Sequence, residues 1–321
     1  MSDRMINALV LARSDSAVRE KLAAEFGGEY RFTFIERGEM PSEELLGSAE
    51  VIIGEPTAAM MPHLTALKWV QITWAGAEKF AALPPEVTLT NASGAFGTII
   101  SEYVLGAVIS VYRSFPQYCI KQCSHIWRRE DRAETVSGKR ALILGAGDIG
   151  RNTALRLKAF GAYTVGIKRD PTVKSPEFDE LHGMDALDRL LPQADIVICC
   201  LPGTVQTQGL MNYERLNSMK ENSLLVNVGR GSLIRNDELV RALSGGRPGF
   251  AVLDVAENEP LPQDSPLWDM ENVIITPHIS GPSFGGNADI KAYIWELCFD
   301  NLRRYSSGEG LRNTVDRAAG Y

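Results

Sequence analysis

The strand-length apolar run Ala141-Leu142-Ile143-Leu144 passes directly into Gly145-Ala146-Gly147-Asp148-Ile149-Gly150, and a helix-patterned stretch over residues 151–160 follows at once. A glycine triplet spaced this way is common by chance. Between a strand and a helix it has a physical meaning. The first glycine allows the tight turn out of the strand, the second lets the main chain approach a diphosphate, and the third lets helix and strand pack closely. The amides of Asp148 and Ile149 then open a helix and face an anion, with the helix dipole adding to the attraction. This segment predicts a Rossmann domain that binds a dinucleotide through Gly145, Gly147, Asp148, Ile149 and Gly150.

The rest of the chain fits that unit. Short apolar runs alternate with longer amphipathic stretches, the rhythm of α/β units around parallel sheets. Strands are expected over 8–12, 31–35, 51–54, 69–73 and 87–91, with a helix over 15–25. The Gly/Ser-bearing break 92–97 precedes an apolar helix from Ile99 to Tyr112, which is expected to end near Pro116. A second strand series is expected over 140–144, 163–167, 195–199, 223–228, 250–254 and 273–276, and a last helix over 284–304. The 321 residues suffice for about two domains with proper cores.

A cofactor preference is legible beyond the glycine loop. An NAD site expects an acid at the end of the next strand, where it holds the ribose 2′-OH. Here the strand over 163–167 runs into Lys168-Arg169, and Lys168 stands 18 residues beyond Gly150. A pair of cations suits a 2′-phosphate, which Arg grips with paired N–H donors. NADP(H) is therefore favoured and NAD(H) remains possible, with Asp170 as the alternative acid.

Three further segments follow predicted parallel strands at their carboxyl ends, where open α/β sheets place ligands. They are Asn227-Val228-Gly229-Arg230-Gly231-Ser232, Leu253-Asp254-Val255-Ala256-Glu257-Asn258-Glu259-Pro260 and Thr276-Pro277-His278-Ile279-Ser280-Gly281. In their order and composition, these segments and the glycine loop resemble the D-isomer-specific 2-hydroxyacid dehydrogenase family over about Gly138 to Gly281. Trp74-Ala75-Gly76-Ala77 and Glu102 carry a weaker likeness in the N-terminal part.

The resemblance implies a smaller flavodoxin-like substrate domain, 1–97 with 285–321, into which a dinucleotide-binding domain, 98–284, is inserted; both are doubly wound parallel sheets. It implies that His278 protonates the carbonyl oxygen of a small 2-oxoacid as hydride arrives, and that Glu259 orients the ring; a carboxylate beside an imidazole also favours its protonated form. Arg230 would grip the substrate carboxylate or carbonyl with its planar fork, His278 would touch the same substrate, and main-chain amides around Ala75 and Gly76 would complete the site. Asp254 would bind toward the nicotinamide. Leu201, Pro202, Val228, Gly229 and Gly281 would line the cofactor, with Arg230 and His278 bordering it. Glu259 in place of the glutamine of the formate-oxidising relatives points to a hydroxy acid, and Lys168-Arg169 resembles the NADPH-using glyoxylate and hydroxypyruvate reductases. No extra regulatory domain is expected after the last helix. The resemblance also implies hinges within 92–97 and 280–286, with Gly97 and Gly286 as pivots, that close Gly76 over Arg230, and a homodimer face formed by the helix from Ile99 and the arm through Trp127. A cofactor-sensing binding protein of the same fold, corepressor-like, is the alternative class, but no basic arm or peptide-binding extension favours it. An adenosylhomocysteine-hydrolase-like enzyme would need a longer substrate domain.

Bulk properties limit the partners. A net charge of −7 gives no support to a nucleic-acid or anionic-membrane partner. The five cysteines have no scaffold or zinc spacing, so free thiols in a reducing compartment are expected. His63, His125 and His182 have no catalytic setting, and no metal site is expected. The start of the chain lacks the apolar core of a secretion signal and no apolar run spans a bilayer, so cytoplasm is the expected location.

Overall fold

Val51-Ile52-Ile53 and Ile196-Val197-Ile198-Cys199 are buried at every position. Strands with no polar face belong in parallel sheets covered by helices on both sides, and the computed structural model contains two such sheets. It describes residues 4–131, 133–282, 284 and 288–317. The chain divides into two compact units, Met1–Ala95 with Pro282–Tyr321, and Phe96–Gly281.

The first unit carries β1 (Ile6–Val10), α1 (Ser16–Phe26), β2 (Tyr30–Phe34), α2 (Glu43–Ser48), β3 (Val51–Ile53), β4 (Trp69–Gln71) and β5 (Thr88–Thr90). Its sheet is parallel throughout, in the order β2-β1-β3-β4-β5. This is the flavodoxin-like winding. Asp15 caps α1 by accepting from Val18 N at 3.0 Å, which satisfies one of the amides a helix start leaves unpaired. Leu22 and Phe26 of α1 are buried.

The second unit begins with α3 (Gly97–Tyr112) and α4 (Phe115–Cys123). It continues with β6 (Arg140–Leu144), α5 (Asp148–Ala159), β7 (Tyr163–Ile167), β8 (Glu180–His182), α6 (Leu187–Leu190), β9 (Ile196–Cys199), α7 (Tyr213–Ser218), β10 (Leu224–Asn227), α8 (Asn236–Ser244), β11 (Phe250–Leu253) and β12 (Val273–Ile275). The order β12-β11-β10-β9-β6-β7-β8 is the doubly wound Rossmann arrangement with a seventh strand, again parallel throughout. The winding reverses between β6 and β9. A long helix, α9 (Ala288–Ser307), then completes the first unit.

The expected strands are all present: β6 and β7 span the expected residues, β1 and β2 lie two residues and one residue earlier than expected, and the others are shorter by one or two residues. Three other elements differ from expectation. The apolar helix α3 ends at Tyr112 as expected but starts at Gly97 rather than Ile99; Pro116 lies beyond it in the first turn of a separate helix, α4, where its missing N–H costs nothing. Strand β8 was not anticipated. The last helix starts at Ala288 rather than at Phe284, which lies in a turn. In the expected crossing 280–286, Ser283, Gly285 and Gly286 lie outside the described residues, as does part of the expected domain boundary at 284/285. Gly97 has a packing role: a Cβ there would lie 2.4 Å from Asp148 Oδ1 and 2.3 Å from Asn152 Nδ2, so α3 starts in close contact with α5.

Among the described residues no helix is long and apolar enough to cross a membrane. Among the same residues no group of three or more His, Cys, Asp or Glu side chains could hold a metal ion.

Candidate active site

The glycine loop leaves β6 at Gly145, whose φ of +104° is a left-handed conformation that few side chains adopt. Gly145 N donates to Ile167 O at 2.9 Å, tying the turn to β7. A Cβ on Gly150 would fall 1.9 Å from Gly145 O, so only glycine lets α5 begin this close to the turn. Gly147 precedes α5 without a side-chain cap, and a Cβ there would meet no protein atom within 4 Å. The side that Gly147 keeps clear is therefore outside the protein, where a diphosphate would approach the first amides of α5. Asp148 does not oppose that anion freely: Asn152 Nδ2 donates to its Oδ1 at 3.1 Å and to its main-chain oxygen at 3.0 Å. The loop thus fits a dinucleotide's phosphates through main-chain donors.

At the end of β7, Lys168 Nζ donates to Val173 O at 3.1 Å, and Arg169 is exposed. Asp170 Oδ1 accepts from the amide and hydroxyl of Thr172, which turns it into its own loop. The charge presented at this strand end is cationic, and it fits a 2′-phosphate better than a ribose diol.

The three candidate catalytic segments leave β10, β11 and β12, which are neighbours in the sheet; Asn227 registers with Leu253, and Leu253 with Ile275. After β10, buried Asn227 accepts from Gly229 N at 3.2 Å and donates to Arg230 O at 3.1 Å, shaping the turn that presents Arg230. Arg230 Nη1 donates to Gly229 O at 2.8 Å. After β12, His278 has φ of +54°, a left-handed backbone uncommon outside glycine. Its Nδ1 lies 2.8 Å from Glu259 Oε2. A carboxylate accepts, so Nδ1 carries the proton of this bond and Nε2 is the ring atom left to exchange one with a ligand. Glu259 is itself held by Ala256 N, which donates to its Oε1 at 3.2 Å. Both side chains are substantially exposed, His278 at 54% and Glu259 at 40%, so the pair can meet a ligand.

Asp254 is the residue whose placement differs most from its expected role toward the nicotinamide. It is 1% exposed. Its Oδ1 accepts from Thr276 Oγ1 at 2.6 Å and from Ile279 N at 2.8 Å, and its Oδ2 accepts from Ser280 N at 2.9 Å. Its main-chain oxygen accepts from His278 N at 2.8 Å. The carboxylate is spent on the loop that carries His278.

Ala75 and Gly76 belong to the other unit. Their segment is anchored on both sides: Asn91 Nδ2 donates to Ala75 O at 2.8 Å, and Glu55 Oε1 accepts from Thr73 N at 2.6 Å and Thr73 Oγ1 at 2.8 Å. Burial raises the Glu55 carboxyl above its ordinary range, and the two Thr73 bonds work against that rise. Sequence reasoning did not single out Glu55, because a lone acid after a strand carries no signal. Burial also pushes the Cys199 and Cys298 thiols up, which makes them poor nucleophiles.

Comparison with known proteins gives a consistent result. The family model described as "D-isomer specific 2-hydroxyacid dehydrogenase, NAD binding domain" matches residues 105–280. A crystal structure of a D-isomer specific 2-hydroxyacid dehydrogenase family protein from Aeromonas salmonicida superposes with a TM-score of 0.87 at 33% identity, covering 98% of this chain and 100% of that one. An NADPH-dependent glyoxylate/hydroxypyruvate reductase from Sinorhizobium meliloti, in complex with NADP and sulfate, gives 0.82 at 26% identity, covering 98% and 100%. Glyoxylate/hydroxypyruvate reductase A of Photorhabdus laumondii is 29% identical over 282 residues, 84% of this chain and 87% of its own.

Proposed function

The chain belongs to the D-isomer specific 2-hydroxyacid dehydrogenase family, NAD(P)-dependent oxidoreductases, and we propose that it reduces glyoxylate, hydroxypyruvate or a similarly small 2-oxoacid with NADPH, using His278 as proton donor. The Glu259–His278 contact carries this reading. It fixes the ring so that Nε2 offers its proton, which moves to the carbonyl oxygen as the carbonyl carbon is reduced, leaving a 2-hydroxyacid and a neutral imidazole. In the reverse direction the same atom takes the proton from the hydroxyl. Bound NADPH supplies the hydride. Glycine-loop amides would hold its diphosphate, and Lys168 with Arg169 its 2′-phosphate. Leu201, Pro202, Val228, Gly229 and Gly281 would flank it.

Arg230 binds the substrate's carboxylate with its planar donor fork. Phe96–Gly281 acts as the dinucleotide-binding domain, and Met1–Ala95 with Pro282–Tyr321 as the substrate domain. Asp254 holds the His278 loop. The five free cysteines suit a reducing compartment such as the cytoplasm. The protein works as a homodimer.

Steady-state kinetics on a panel of 2-oxoacids with NADPH and NADH tests the assignment. His278→Asn should lower kcat by about two to four orders of magnitude while NADPH still quenches protein fluorescence with an affinity near that of wild type. Full turnover in that variant would remove His278 from the mechanism. A kcat/KM higher with NADH would remove the cofactor assignment.

A further inference from the structure

The loop carrying His278 is held from below by a chain of hydrogen bonds that begins on α3. Tyr103, half-buried on that helix, has its hydroxyl 2.6 Å from Thr276 Oγ1. The direction of each bond follows from the acceptor at the end. Asp254 can only accept, so the hydroxyl hydrogen of Thr276 goes to Asp254 Oδ1. Thr276 Oγ1 then has only lone pairs for Tyr103, and Tyr103 must donate. The chain is Tyr103 O–H to Thr276 O–H to the Asp254 carboxylate, which also accepts from Ile279 N and Ser280 N, while His278 N donates to the Asp254 main-chain oxygen.

A second contact comes from the same face of α3. A Cβ on Gly281 would lie 2.8 Å from Ile100 Cδ1, so Gly281 allows the end of the loop to rest on Ile100, one turn before Tyr103. The loop is thus buttressed at both ends by one helix, and between those ends His278 keeps a left-handed backbone that persists only where its surroundings fix it. Burial, and to a smaller extent the Asp254 charge, raise the Tyr103 phenol, which keeps the donor protonated across the working range.

We infer that Tyr103 is a positioning residue of the reaction: by donating to Thr276 it orients Asp254, and through Asp254 the loop that aims His278. This rests on His278 as proton donor. Tyr103 itself touches neither substrate nor cofactor in this scheme.

The test compares Tyr103→Phe, Thr276→Val and Thr276→Ser with wild type and His278→Asn, in glyoxylate reduction at saturating NADPH. Tyr103→Phe keeps the ring and deletes the donor. It should lose about tenfold in kcat, with the Kd for NADPH within about twofold of wild type. Thr276→Val should match it, Thr276→Ser should keep most of the rate, and adding Tyr103→Phe to His278→Asn should cost nothing further, as expected of residues acting through one group. Tyr103→Phe within twofold of wild type while His278→Asn loses its rate would overturn the inference. A raised Kd for NADPH with unchanged kcat would also overturn it, because the hydroxyl would then serve cofactor binding. Should Tyr103→Phe fail to fold, the Thr276 pair decides: equal rates in Thr276→Val and Thr276→Ser would refute the inference, and loss confined to Thr276→Val would support it. Full activity in His278→Asn would instead refute the proposed function.

Discussion

Lys168 is tethered to Val173 O, and beside it the Asp170 carboxylate is taken up by Thr172. The tether matters because a lysine free to sample many rotamers gains less from one phosphate than a lysine already held near it. Lys168→Ala should therefore lower kcat/KM for NADPH by about tenfold to a hundredfold, the scale of one or two charge-assisted bonds, and leave kcat/KM for NADH within about threefold. Equal losses with both cofactors would show that Lys168 supports the loop rather than reads the phosphate. At this scale the sequence was informative wherever spacing encodes chemistry. The glycine triplet and the order Arg230, Glu259, His278 pointed to the residues, and the Glu259–His278 contact is present at 2.8 Å. The sequence was silent where chemistry depends on burial. Nothing in Leu253-Asp254-Val255 tells an acid that faces a ligand from one enclosed by Thr276, Ile279 and Ser280. Tyr103, in a helix that reads simply as apolar, gives no cue of its partner 173 residues away.

Elements were legible in proportion to their apolar pattern. Runs such as 140–144 and 163–167, buried from their second residue on, were placed to the residue because short apolar runs bounded by glycine and charged residues read as buried strands. Strand β8, Glu-Leu-His, has no such pattern; it pairs in parallel with β7 at the sheet edge, where its side chains form a polar cluster. Glu180 accepts from His182 Nε2 at 2.8 Å, from Tyr163 OH at 2.8 Å and from Arg140 Nη2 at 3.1 Å. These partners, His182 first and Tyr163 next, pull its carboxyl from 4.5 to about 2. The folded state therefore binds this proton more weakly than the unfolded chain, and stability rises with pH between the two values. The contribution is fully present above pH 4.5 and is lost as pH falls toward 2. Glu180→Gln should flatten the acid limb of a stability-versus-pH curve measured by urea unfolding in that window. An acid limb identical to wild type would show that the edge cluster does not hold β8. Pro116, beyond the expected end of α3 at Tyr112, does not close a helix itself but opens α4, which takes it in its first turn.

At the scale of the whole chain, the return of α9 to the first unit could be expected only through family likeness, because no local pattern says which sheet a helix will cover. In the structure, buried Asn301 donates to Gln71 Oε1 at 2.7 Å and accepts from Arg312 N at 2.7 Å, while Tyr30 OH donates to Leu302 O at 2.9 Å. The proposed homodimer concerns a different surface. The arm after α4 is folded back on that helix: Ile126 N donates to Lys121 O at 2.9 Å, Glu130 N donates to Tyr118 OH at 3.0 Å, and Lys121 pairs with Glu130. This ordered arm leaves Trp127 fully exposed, beside exposed Ile126 and a helix that exposes Phe115 and Ile120. Large apolar side chains exposed close together in sequence are candidates for an interaction surface, and tryptophan is a type of residue that dominates interface energies. If a second copy of the chain covers it, Trp127→Glu combined with Ile120→Glu should raise the dimer dissociation constant by about a hundredfold or more, since one buried tryptophan contributes on the order of 2 kcal/mol or above. Sedimentation equilibrium across the micromolar range would read the change directly, with circular dichroism to confirm that the variant is folded. A wild-type protein that stays monomeric, or a variant that dimerises as tightly as wild type, would rule out this face as the subunit contact.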